Sequence, residues 1–213
     1  MNRSDPWSPK QLARRALIVA AAVETMRRDG IAGCTVRSIA SATPFSKGTV
    51  HYYFADVREI VDAAYLQLTD EYVSAIDAVA DGETRPAEAF WRAVRSYLEG
   101  FKVHRRLGLL WFEYTSWAVR HEDQHGVASS VEAIRRMFER RLLAIDPDKG
   151  DRVVVLVRYL LGAVLELSSS GVPVEDLLAD VGRICGLEAP PRRRRADHAR
   201  DCPVCRQPRR TGP

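Results

Sequence analysis

Apolar residues recur along this chain at helical rather than alternating spacing. Leu12, Ala16, Val19, Val23 and Met26 form one stripe. It is opened by the capping-box signal Ser8-Pro9-Lys10-Gln11 and closed by Gly30, with Arg27 and Arg28 in the last turn. Val36, Ile39 and Ala40 mark a short second helix capped by Thr35. It stops at Thr43-Pro44, because the residue before a proline is pushed out of the helical region. Val50, Tyr53 and Phe54 predict the inward side of a third helix, capped by Ser46. Asp56-Val57-Arg58-Glu59 opens a long fourth helix with the stripe Ile60, Ala64, Leu68 and Tyr72, broken at Asp81-Gly82. Beyond Pro86 the pattern predicts helices over roughly 86–103, 106–120, 124–145, 151–169 and 174–185. No Asn-Gly or Asp-Gly hairpin signal appears, so the fold class is all-α: a three-helix head and a larger helical body. Three segments are expected, 1–56, 57–187 and 188–213.

Charge sharpens this division. The 213 residues carry a net charge of +4, but residues 1–55 hold eight Lys/Arg against three acids, and residues 187–213 hold the same balance. Each end is therefore +5 and the middle is −6. A basic head on an acidic body suits a reader of DNA whose other half does something else. The first ten residues are polar and Arg14 and Arg15 interrupt the next apolar stretch, so no secretory leader is expected here. The apolar run 153–167 contains Arg158 and Glu166 and is too short to span a bilayer. With no disulfide framework either, the expected location is cytoplasmic, without a membrane partner.

The third helix carries the most specific chemistry. With Val50, Tyr53 and Phe54 turned inward, Gly48, Thr49, His51 and Tyr52 face out, and Lys47 stands at the start. Hydroxyls, an imidazole, a phenol and a cation on a short exposed helix suit a DNA groove better than a protein core. The run Thr35, Val36, Arg37, Ile39, Ala40, then Ser46, Lys47, Gly48, Thr49, Val50, His51, Tyr52, Tyr53, Phe54 resembles the helix-turn-helix of the tetracycline-repressor (TetR) family. That resemblance implies a dimeric, ligand-responsive transcriptional regulator, most often a repressor, that binds near-palindromic double-stranded DNA. Gly48, Thr49 and His51 would face base edges, and Thr35, Arg37, Ser46, Lys47 and Tyr52 would hold phosphates. Two positions depart from the family pattern. Pro44 stands where a turn glycine is usual, and Val57 where a lysine usually opens the next helix, with Arg58 one residue on.

In the body, aromatics gather at Phe90, Trp91, Tyr97 and Phe101, and again at Trp111, Phe112, Tyr114 and Trp117. Glu113, Tyr114 and Trp117 put an acid, a phenol and an indole within about one turn. Small-molecule pockets and plain cores share that composition. The resemblance implies an inducer pocket here, with Trp91, Glu113, Tyr114 and Trp117 as candidate ligand-binding residues. The 151–169 helix is apolar all round, which predicts burial on every side and a partner subunit. Arg158, Gly162 and Glu166 share one of its faces, either as an internal ion pair or, as the resemblance implies, at a homodimer interface.

After Leu187 the chain turns to PPRRRRADHARDCPVCRQPRRTGP, too polar to fold alone. Its His198, Cys202 and Cys205 have metal-ligand spacing, but zinc needs four ligands and three are present. No cofactor is expected, zinc in this tail being the exception to test. The tail is either a basic arm that adds nonspecific DNA affinity or the sensor of a metal- or redox-responsive regulator. No Gly-rich phosphate loop, H-E-x-x-H or G-x-S-x-G motif is present, so an enzyme is not expected.

Overall fold

A computed structural model describes residues 7–191; the candidate metal ligands His198, Cys202 and Cys205 lie outside the described residues. Those residues form nine α-helices and two short 3-10 turns, with no strand among them. The helices are α1 Pro9–Asp29, α2 Val36–Ser41, α3 Lys47–Tyr53, α4 Val57–Ala80, α5 Pro86–Val103, α6 Arg105–Arg120, α7 His125–Ile145, α8 Arg152–Ser169 and α9 Val174–Cys185. The all-α expectation holds, and every predicted helix is present to within two residues.

The chain packs as two compact units that are not simple sequence blocks. Among the described residues, one contains 7–68 together with Phe112–Gly126, and the other contains Thr69–Trp111 and 127–191. The boundary between these units along the N-terminal half of the chain falls within α4, between Leu68 and Thr69. The physical reason is burial: α2 and α3 are too short to enclose a core, so Ile60, Val61, Ala64 and Tyr65 of α4 are buried in the head unit with them.

In the head unit Ile18, Ala22, Val23 and Met26 of α1 are buried, as are Ile39, Val50 and Phe54. Apart from Ala22, each such side chain contributes roughly 1.5–3 kcal/mol of transfer free energy. The predicted α1 stripe is right only in the helix's second half. Leu12 is 54% exposed and Ala16 is exposed too, because no buried residue of α1 precedes Ile18. Gly30 ends α1 at φ 76°, a conformation that a side chain would strain.

In the body unit, α5, α8 and α9 pack together around Phe90, Tyr97, Leu98, Leu156, Leu160, Val164 and Leu177, all buried. Tyr97 stands edge-on to Phe101 and Phe138, and Tyr72 donates its hydroxyl to the Tyr97 carbonyl at 2.7 Å. Buried Arg95 reaches Glu175 at 3.1 Å, fastening α5 to α9. The all-round apolar character of α8 does not mean burial on every side within the chain. Val153, Leu156, Val157 and Leu160 are buried, while Val154, Val155 and Leu165 are about half exposed.

Candidate nucleic-acid interface

Each turn of the helix-turn-helix is fixed by short polar side chains. Thr35 Oγ1 accepts the Ser38 N–H at 3.0 Å and Ser38 Oγ accepts the Thr35 N–H at 2.9 Å, a reciprocal cap that starts α2. Ser46 Oγ accepts the Thr49 N–H at 3.1 Å and starts α3. Between them the turn needs no left-handed residue, which is how Pro44 is accommodated: among the described residues Glu122 alone has positive φ without being glycine. Thr43 closes the turn instead. Its hydroxyl donates to the Ala40 carbonyl at 3.1 Å and accepts the Phe45 N–H at 3.3 Å.

Val50, Tyr53 and Phe54 are buried, which turns Gly48, His51 and Tyr52 outward to solvent and leaves Thr49 half-buried. The head's cations fall into two sets. Arg15 pairs with Glu59 and lies over the Phe54 ring at 4.4 Å, while Arg27, Arg28 and Arg58 pair with Glu24, Asp29 and Asp56. Arg58 is thus held by Asp56 at 2.8 Å and is not a free replacement for the family's lysine. Lys10, Arg14, Arg37 and Lys47 make no ion pair among the described residues. Arg37 and Lys47 belong to the helix-turn-helix; Arg14 lines an open cleft of about 490 Å³ with Gln11 of α1 and Ser46, Thr49 and Tyr52. Neither Gln11 nor Arg14 is marked by the sequence as part of this cleft; Gln11 reads there only as part of the capping box that opens α1.

The candidate ligand residues divide between the units. Trp91 lies in the body, edge-on to Phe90 at 5.3 Å. Glu113, Tyr114 and Trp117 lie in the head unit. Glu113 Oε2 accepts the Ile31 N–H at 3.0 Å, and a Cβ on Gly30 would come within 2.7 Å of that oxygen. Tyr114 is fully buried, stacked on Tyr65 at 3.5 Å, and donates its hydroxyl to Asp62 at 2.7 Å. A Cβ on Gly126 would lie 1.9 Å from that hydroxyl, so only glycine leaves the phenol its place. Burial pushes the Asp62 carboxyl above its ordinary value, although the Tyr114 bond works the other way. Trp117 continues the stack, 5.8 Å from Tyr114 and 4.5 Å from His121. The roles of Asp62, Gly30 and Gly126 against Tyr114 and Glu113 carry no sequence signal, Gly30 reading only as the end of α1, because their partners are far away in the chain.

Arg158, Gly162 and Glu166 are exposed on α8, and neither charge makes an ion pair among the described residues. The internal pair is therefore absent within the chain. Among the described residues, a Cβ on Gly162 would meet nothing within 4 Å.

Residues 18–64 match the family model of bacterial regulatory proteins of the tetR family. The nicotine-responsive transcriptional repressor HdnoR of Paenarthrobacter nicotinovorans is 32% identical over 119 residues, which cover 55% of this chain and 61% of that protein. The chain thus spans about three-fifths of that relative's length. Among solved structures, the transcriptional regulator SCO7518 of Streptomyces coelicolor A3(2) superposes with a TM-score of 0.69 at 20% identity, covering 81% of this chain and 98% of that one. The multidrug binding protein EbrR complexed with proflavin gives 0.63 at 22% identity, covering 80% of this chain and 99% of that one.

Proposed function

We propose that this chain, whose residues 18–64 match the family model of bacterial regulatory proteins of the tetR family, is a transcriptional regulator of that family rather than an enzyme, a dimeric repressor released from its operator by a small molecule. The observation that carries the DNA reading is the outward face of α3. Gly48, His51 and Tyr52 are exposed beside a half-buried Thr49, and on the same motif Arg37 and Lys47 make no ion pair among the described residues. Helix α3 enters the major groove, where Gly48, Thr49 and His51 meet base edges. Thr35, Arg37, Ser46, Lys47 and Tyr52 hold the flanking phosphates.

Two copies pair through α8. Val154, Val155 and Leu165 leave apolar surface at about half exposure, and Gly162 offers room for close approach. Arg158 and Glu166 lie one helical turn to either side of Gly162, so a two-fold axis near it would bring each Arg158 to the partner copy's Glu166. The effector enters the body unit. Ser96, fully buried on α5, has a hydroxyl with no hydrogen-bond partner among the described residues, beside Arg95 and Glu99, which are also buried. HdnoR responds to nicotine and EbrR holds proflavin, so ring-containing amines head the effector panel. Among the described residues no helix is long and apolar enough to cross a membrane, which fits a cytoplasmic regulator.

The test is selection from a random duplex library by the full-length chain. The expected product is a near-palindrome with half-sites ~34–36 Å apart, or a multiple. His51→Ala should relax the preference, and a panel compound should raise Tm while lowering affinity for the selected duplex. Equal affinity for selected and scrambled duplexes at moderate salt would overturn the reading.

A further inference from the structure

Helix α1 braces the motif through its second half, yet its first turns, which bury little, form one wall of the cleft against α3. Arg14 is the sole charged group among the residues lining that cleft, and it has no ion pair among the described residues. Gln11, Ser46, Thr49 and Tyr52, its polar neighbours there, can all donate hydrogen bonds. A cation among neutral donors, with no carboxylate, is chemistry for an anion.

The direction of one donor follows from the bonding. The Ser8 N–H, which can only donate, bonds to Gln11 Oε1 at 2.9 Å, and Ser8 Oγ bonds to the same oxygen at 2.8 Å. The amide is thereby oriented, and its Nε2 donates to Tyr52 Oη at 3.0 Å. Because Tyr52 Oη accepts there, its own hydrogen is left for another acceptor. Trp7 and Tyr53 flank the Tyr52 ring at 6.4 and 5.0 Å and limit its swing.

We propose that this cleft seats a DNA backbone phosphate beside the bases that α3 reads, with Arg14 as its cation and the Tyr52 hydroxyl as a donor. Gln11 is a positioning residue: the box that caps α1 also sets which way Tyr52 donates. The seat rests on the DNA reading of α3 given above and extends it to a helix outside the helix-turn-helix.

The experiment uses the full-length chain with two probes, the duplex selected by the wild type and a random-sequence duplex. Arg14→Ala removes an exposed side chain and should weaken both complexes alike. Its penalty should shrink by about 3.5-fold per phosphate as salt rises from about 50 to about 200 mM. Tyr52→Phe should cost roughly tenfold in the wild-type background. Gln11→Glu keeps the acceptor for Ser8, so Tm should hold, but a carboxylate cannot donate and Tyr52 must turn its hydrogen inward. Adding Tyr52→Phe to Gln11→Glu should then cost nothing more. A purely electrostatic effect of the new carboxylate would leave the Tyr52→Phe penalty the same in both backgrounds, and that result would overturn the role of Gln11. An unchanged salt slope in Arg14→Ala overturns the seat and leaves the α3 reading standing. A wild-type chain with no preference for the selected duplex overturns both.

Discussion

Replacing Gly48 with alanine separates what α3 needs for folding from what it needs for DNA. The added Cβ would lie 3.7 Å from Ser46 Oγ, an ordinary van der Waals contact, and among the described residues beyond the helix's own backbone it would meet no other atom within 4 Å. Gly48 is the second residue of α3, where alanine is the better helix former by up to about 1 kcal/mol. The free protein should therefore gain a few tenths to about 1 kcal/mol, a Tm rise of about 1–4 °C. In the proposed complex the same methyl would occupy space that the backbone of α3 uses to approach the bases. Losing one base contact costs roughly 1–3 kcal/mol per half-site, about 5- to 150-fold in affinity. Thermal melting and anisotropy titration of the selected duplex measure the two effects independently. A variant that melts higher yet binds as tightly as the wild type would refute the close approach. One that melts lower would refute the reading of the free space around Gly48.

Three further outcomes follow, two from the geometry and one from the sequence of the tail. Because burial raises the Asp62 carboxyl, its contribution to stability is present below the ordinary carboxylate range and lost as pH rises through the raised value. Asp62→Asn, which still accepts from Tyr114, should therefore melt higher than the wild type at neutral pH and no higher in acid. A gap that does not change with pH would contradict this. At the proposed dimer face, Gly162→Leu meets no neighbouring atom among the described residues at its Cβ but should block pairing, and Glu166→Ala should weaken it by about 3–5 kcal/mol where the partner buries the pair. Sedimentation of the wild type as a stable monomer at micromolar concentration would remove the basis for both. For the tail, metal analysis of untagged protein is expected to find no stoichiometric zinc. Zinc that disappears in Cys202→Ser/Cys205→Ser would instead favour a metal-responsive regulator.

What the sequence determined by itself were the elements whose causes are local. Ser8 with Gln11, Thr35 with Ser38 and Ser46 with Thr49 are caps made within a few residues, so their helices begin where those residues stand. The outward set on α3 was legible for the same reason, since Val50, Tyr53 and Phe54 at helical spacing leave the other residues facing out. Only the tertiary structure decided the rest. Leu12 is exposed although it fits the stripe, because periodicity says which side of a helix is apolar and not how far along it a core extends. Tyr114 and Glu113 are tied to Asp62 and Ile31, 52 and 82 residues away in the chain, and no local pattern encodes a hydrogen bond across that separation. Gln11 is the clearest case. As a capping residue it was readable from Ser8, three positions earlier, but its hold on Tyr52, 41 positions later, exists only once α1 and α3 are packed together.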